Sequence, residues 1–235
     1  MGELTSYPDL LYSRLFLTDG RIIIADVPLS AEVRAGIGRL ETKEGKPVVF
    51  LDDVDLAKDL EKYLERIVAT HSKVLFVFPG NGSNYPRKMS AVWRQFPSAD
   101  VFAKRMWVPG REPVALSGRI LPEVFLVLDV ETVVVVDDVI CSGATLVKIH
   151  EENSWRFPKA KWLGAAWLAQ VPQMKAKSGV NGYSSVSVST VVGKIDGRRI
   201  PLNSLSTLKS DRGIAESYAN THFACPEKFL ELLNY

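Results

Sequence analysis

The chain has 235 residues, with 29 Lys and Arg against 27 Asp and Glu, a formal net charge of +2 and 46% hydrophobic residues. That length and apolar content suit one α/β domain with elaborations, or a core carrying a small subdomain, and the near-neutral balance gives no electrostatic drive toward nucleic acid or a membrane. Two cysteines, Cys141 and Cys225, without Cys-x-x-Cys spacing argue against a disulfide framework and against a zinc site.

In chain order, Glu3 and Asp9 precede any apolar run, so no secretory leader is expected. No apolar run approaches the ~20 residues of a bilayer span, and a reducing cytoplasm is the expected location. Residues 15–17 and 21–26, around Asp19-Gly20, read as two short strands about a turn. Ser30 suits the cap of a short helix over residues 31–37. Residues 1–46 stand outside the βα repeat that follows and are expected to form a hood over the sheet. A strand at 47–51 leads to Asp55, a helix cap, and to a helix whose Leu56, Leu60, Tyr63, Leu64, Ile67 and Val68 make one apolar stripe.

Residues 73–78 read as a buried strand running into Pro79-Gly80-Asn81-Gly82-Ser83-Asn84. Pro86 suits the first turn of a helix continuing through Trp93 and Phe96. Strand, Gly-rich loop and helix in that order make a candidate anion cradle, although such a connection is more often only a tight turn. Arg87 and Lys88 either add positive charge there or are solvated. Residues 100–108 read as a further strand, entering Pro109-Gly110-Arg111-Glu112-Pro113. This basic, poorly periodic excursion is a candidate mobile loop, with a solvated hairpin as the alternative.

The most informative stretch is Val133-Val134-Val135-Val136-Asp137-Asp138-Val139-Ile140-Cys141-Ser142-Gly143-Ala144-Thr145. Four β-branched residues suit a strand buried on both faces. Two acids follow at its expected end, then a loop of small residues, then the apolar-periodic start of a helix. Free N–H groups at a helix start favour a phosphate, and small side chains let the backbone approach it. Like charge keeps Asp137 and Asp138 from the phosphate itself; they suit sugar hydroxyls, directly or through a hydrated cation. The pair alone is weak evidence, because Val48-Val49-Phe50-Leu51-Asp52-Asp53 repeats it without the Gly and hydroxyl loop.

Beyond it, residues 162–169 and 186–192 read as strands, Asp196-Gly197 as a hairpin turn, 200–207 as a loop or strand end, and 214–218 and 226–233 as helices. His71, His150 and His222 show no ligand spacing.

Residues 133–145 resemble the phosphoribosyl diphosphate (PRPP) motif of the type I phosphoribosyltransferases: four hydrophobics, two acids, and a phosphate loop ending in Gly-x-Thr. The resemblance extends over residues 73–192 as organisation. It implies an α/β fold with a doubly wound, mostly parallel five-stranded sheet and flanking helices, with a core at 47–192, a hood from 1–46, and a hairpin and helices at 193–235 in the same domain. It implies transfer of ribose 5-phosphate from PRPP to a purine or pyrimidine base, with release of diphosphate and Mg²⁺ bound mainly through PRPP. Asp137 and Asp138 would hold the ribose hydroxyls and, through water, the metal. Cys141, Ser142, Gly143, Ala144 and Thr145 would hold the 5-phosphate, and Gly80, Asn81, Gly82 and Ser83 the diphosphate. Lys104, Arg105 or Arg111 would assist its departure. Cys141 stands where the hypoxanthine-guanine enzymes carry an Asp, which counts against a 6-oxopurine acceptor. The resemblance further implies a homodimer acting on small molecules, with no nucleic-acid or membrane partner. The alternative is a non-catalytic regulator with the same fold that senses PRPP or a nucleotide.

Overall fold

The computed structural model describes residues 14–18, 21–25, 30–43, 45, 47–80, 82–101, 103–106, 114–117, 129–140, 144–170, 180–190 and 203–235. The elements in chain order are β1 (Arg14–Thr18), β2 (Arg21–Ala25), α1 (Ala31–Gly38), β3 (Val48–Asp52), α2 (Asp53–Thr70), β4 (Val74–Pro79), α3 (Asn84–Met89), β5 (Ser98–Val101), β6 (Ala103–Met106), β7 (Val114–Ser117), β8 (Thr132–Ile140), α4 (Ala144–Asn153), β9 (Lys161–Gln170), β10 (Val180–Thr190), β11 (Asn203–Ser204), α5 (Leu205–Ser210), α6 (Arg212–His222) and α7 (Pro226–Leu232).

The main sheet is parallel throughout, in the order β1-β10-β9-β8-β4-β5. Its central strands are apolar on both faces because both are covered. Phe76, Phe78, Val134 and Val136 pack against Leu60, Leu64 and Ile67 of α2, while Leu75, Val77, Val133 and Val135 pack with Leu146 and Ile149 of α4. The stripe predicted for α2 is the face it buries, with Leu56, Leu60, Tyr63, Leu64 and Ile67 all buried.

Winding reverses beside β4. The chain leaves β4 and returns as β5 on one side, with Val92, Trp93 and Phe96 packed on the α2 face. It next enters the sheet as β8, on the other side of β4, and passes through α4 on the opposite face to β9. Right-handed crossovers require the connecting helix to change face when the winding changes direction. The topological switch point therefore lies between β4 and β8, where open α/β sheets bind ligands outside the carboxyl ends of the strands.

A smaller unit joins the two ends of the chain. Parallel strands run in the order β11-β2-β3, and Ile37 of α1 shares a core with Leu205, Leu208, Tyr218, Phe223 and Phe229. Ser30 caps α1 as expected, accepting from the Val33 N–H at 3.2 Å.

Several expectations are corrected. Among the described residues the sheet has six strands rather than five, because β1 pairs with β10 and covers backbone groups that an edge strand would leave open. Residues 14–18 are thus part of the main sheet rather than a hood. The strands flanking Asp19-Gly20 do not pair with each other, since β2 joins β3 and β11. β3, expected in the core, belongs to the smaller sheet. The strand expected at 100–108 divides: only β5 lies in the sheet, with Ala99 and Val101 buried, and β6 turns away to pair with β7. Asp55 lies inside α2, which starts at Asp53. The helix expected from Pro86 through Phe96 stops at Met89, with Ser90 extended, and resumes as a 3-10 turn at Val92–Gln95. Of residues 200–207, read as a loop or strand end, Asn203–Ser204 form β11 and 205–207 begin α5. The turn at Asp196-Gly197 lies outside the described residues.

Candidate functional site

β8 runs to Ile140, so Asp137 and Asp138 lie inside the strand and do not follow it. Their neighbour on one side is β9, with Asp137 opposite Ala166. On the other side the pairing with β4 ends at Val135, opposite Val77. Past that point the connection leaving β4 takes the place of a strand beside the acids.

The local chemistry of that connection follows from its glycines. Gly80 adopts φ +60°, a left-handed conformation that costs a residue with a Cβ but not glycine. Its N–H donates to the Val101 carbonyl at 2.9 Å, tying the start of the loop to the end of β5. Ser83 is fully buried and its hydroxyl donates back to the Gly80 carbonyl at 3.0 Å, closing the loop on itself.

Gly82 then meets both acids. A Cβ built on Gly82 would lie 2.7 Å from Asp138 Oδ1 and 2.9 Å from Asp137 Oδ1, distances that real Cβ atoms essentially never show. Successive residues of a strand point to opposite faces, yet one oxygen of each carboxyl comes to the same point on the loop. The Asp138 N–H donates to Asp137 Oδ1 at 3.0 Å, which helps to turn the first carboxyl along the strand. Both acids are 7% exposed. Thr145, also buried, is the second residue of α4, so its backbone belongs to the first turn, where helix N–H groups lack intrahelical acceptors.

Gly80, Gly82, Ser83, Asp137 and Asp138 come together at the switch point, and Ala144 and Thr145 open α4. Asn81, Cys141, Ser142, Gly143 and Arg111 lie outside the described residues. Lys104 and Arg105 are on β6, opposite Leu116 and Ala115 of β7. Among the described residues no group of three or more His, Cys, Asp or Glu could hold a metal alone, and no helix is long and apolar enough to cross a membrane.

The Gly80 N–H donates to the Val101 carbonyl and the Ser83 hydroxyl to the Gly80 carbonyl. α3 has six residues, too few for a strong dipole at its start. Arg87 is engaged within the fold. It pairs with Asp100, and its guanidinium stands 4.8 Å from the ring centres of both Phe78 and Trp93. Reasoning from sequence missed this cluster; the only trace of it was a cation placed between two aromatic residues in adjacent elements.

No protein-family model matches the chain, and no curated protein matches it. Solved structures similar to it include a hypothetical protein from Neisseria gonorrhoeae with bound ppGpp, at 16% identity and a TM-score of 0.43 over 61% of this chain and 87% of that one. A hypoxanthine phosphoribosyltransferase from Staphylococcus aureus is 13% identical with a TM-score of 0.44, over 69% of this chain and 83% of that one. A purine phosphoribosyltransferase from Pyrococcus horikoshii is 18% identical with a TM-score of 0.40, over 63% and 94%. These likenesses are loose, and the function has to be argued from the site's own residues.

Proposed function

We propose that the chain is a phosphoribosyltransferase, taking ribose 5-phosphate from PRPP and joining it to a nitrogenous base. The observation that carries this reading is the meeting of Gly82 with Asp137 and Asp138 at the switch point, with α4 opening six residues after Asp138. Carboxylates beside a glycine loop and ahead of a helix start suit a sugar phosphorylated at both ends. Residues 141–145 hold the 5-phosphate, with the backbone of Ala144 and the hydroxyl of Thr145 at the helix start. Residues 80–83 bind the diphosphate, with Gly80 turning the chain.

In the reaction a base nitrogen forms a bond to C1 of the ribose, and the C1–oxygen bond to diphosphate breaks, its electron pair leaving with the diphosphate. The nitrogen then gives its proton to solvent. No covalent enzyme intermediate is needed, so the protein acts by positioning and by electrostatics. Asp137 and Asp138 hold the ribose and favour positive charge building on its ring. Asp137 and Asp138 would also hold Mg²⁺ through water. Mg²⁺ would offset the charge of the leaving diphosphate. Lys104, Arg105 or Arg111, on the β6–β7 excursion, assist that departure.

Incubation with PRPP, Mg²⁺ and each of adenine, guanine, hypoxanthine, xanthine, uracil and orotate tests the proposal. Base-dependent release of diphosphate, with one nucleoside monophosphate formed per diphosphate, is the expected result. Binding of PRPP without turnover on any base would overturn the transferase reading and leave a PRPP sensor.

A further inference from the structure

We infer that Arg87 is the positioning residue that fixes loop 80–83 against Asp137 and Asp138, acting through the packing of its guanidinium and not through contact with a ligand. The inference rests on the function proposed above only in what the loop binds; the anchoring itself is a property of the chain alone.

Four attachments meet at Arg87. Its backbone N–H donates to the Ser83 carbonyl at 3.0 Å, which ties it to the last residue of the loop. Its guanidinium lies 4.8 Å from the centre of the Phe78 ring, on the strand that feeds the loop. The same group pairs with Asp100 on β5 and lies 4.8 Å from the Trp93 ring. Trp93 returns the contact, its indole N–H donating to the Arg87 carbonyl at 2.8 Å. One side chain thus joins the strand before the loop, the short helix after it, the 3-10 turn and the neighbouring strand.

The need for such an anchor follows from the loop's length and composition. A six-residue helix is marginal without tertiary support, and two glycines in the loop give its backbone more freedom than other residues would. Yet Gly82 bears on two carboxyl oxygens closely enough to exclude a methyl group. A planar cation packed against two rings that themselves meet edge-on at 5.3 Å, and paired with a carboxylate, restrains the exit of the loop in a way that lysine cannot reproduce, because lysine lacks the flat face.

Hydrogen–deuterium exchange on the ligand-free full chain tests the anchor. In Arg87→Met, amides of residues 80–89 should exchange at least about fivefold faster, while those of 144–153 in α4 keep their wild-type rates. Arg87→Lys should fall between the two. Unchanged exchange at 80–89, or an equal rise in α4, would overturn the inference, the latter by showing general destabilisation. Titration with PRPP and Mg²⁺ should give a dissociation constant on the order of tenfold higher in Arg87→Met, with Arg87→Lys restoring part of it. Equal affinity in wild type and Arg87→Met would overturn the positioning role. Should wild type itself not bind PRPP, the proposed function fails, and the exchange rates still decide whether Arg87 anchors the loop.

Discussion

Gly82 and Asp138, 56 residues apart in sequence, stand so close that a methyl group on Gly82 would overlap Asp138 Oδ1, at 2.7 Å. The glycine is there for space. Asp137 Oδ1 bounds the same point at 2.9 Å, so relief requires either the loop or both carboxyls to move.

Gly82→Ala should therefore do more harm to ligand binding than to the fold. Overpacking of this kind costs about 1–3 kcal/mol when rigid surroundings must shift. The thermal midpoint should fall by several degrees, and affinity for PRPP with Mg²⁺ should fall by tenfold or more, the factor that about 1.4 kcal/mol carries. Calorimetric titration beside a melting curve separates the two effects. A lowered midpoint with wild-type affinity would mean that the Gly82 contact serves folding only.

Ser83→Ala should loosen the same loop from inside. The variant loses the hydroxyl that donates to the Gly80 carbonyl at 3.0 Å in a fully buried position. Loss of one such part-buried bond is worth about 1 kcal/mol. A midpoint equal to wild type would show that another donor satisfies Gly80.

His150 makes stability depend on pH. Burial holds its pKa below the ordinary value near 6.5, outweighing the pull of Glu151 in the other direction. Its ring stands edge-on to Trp162 at 5.2 Å, and its buried Nδ1 has no hydrogen-bond partner. The unfolded chain takes up a proton first as pH falls, so this contribution to stability is complete above about pH 6.5 and is lost as pH drops toward the folded value. Between pH 7.5 and 5.5 the wild-type midpoint should fall further than that of His150→Phe. Equal falls would assign the pH dependence to other groups.

The strand and the helix around the candidate site were legible because the order of residue types has few physical meanings. Val133 to Val136 suit a covered strand and are buried in β8, and Ala144 and Thr145 begin α4. The acids could not be located to the residue, because a strand's end depends on its neighbours. β8 continues to Ile140 because β9 keeps pairing with it, as Val139 with Leu168 and Ile140 with Ala169. The true edge strand was hidden for the same reason: nothing local to residues 14–18 distinguishes a partner at residues 186–190 from one across a turn. The packing of Arg87 was not legible, because its partner Asp100 and its two rings come together only in the fold.

Trp167 separates core from site. It is fully buried between β9 and α2, on the sheet face that carries Phe76 and Val136. Trp167→Ala should cost about 3–5 kcal/mol of stability. Protein that remains folded at low temperature should still bind PRPP with near wild-type affinity, and a loss of affinity beyond a few-fold would show that the α2 face reaches the site.

The most direct measurement is the affinity of the intact chain for PRPP in the presence of Mg²⁺, by calorimetric titration of wild type and of Asp138→Asn with Thr145→Ala. Asp138 and Thr145 are the two residues that the proposal assigns to the ribose and to the 5-phosphate. Saturable one-site binding by wild type, weakened a hundredfold or more in the double variant at an unchanged melting temperature, is the predicted result; about 1.4 kcal/mol from each group is enough for that. Equal affinity in the two proteins would contradict the assignment of residues 137–145 to a phosphorylated sugar.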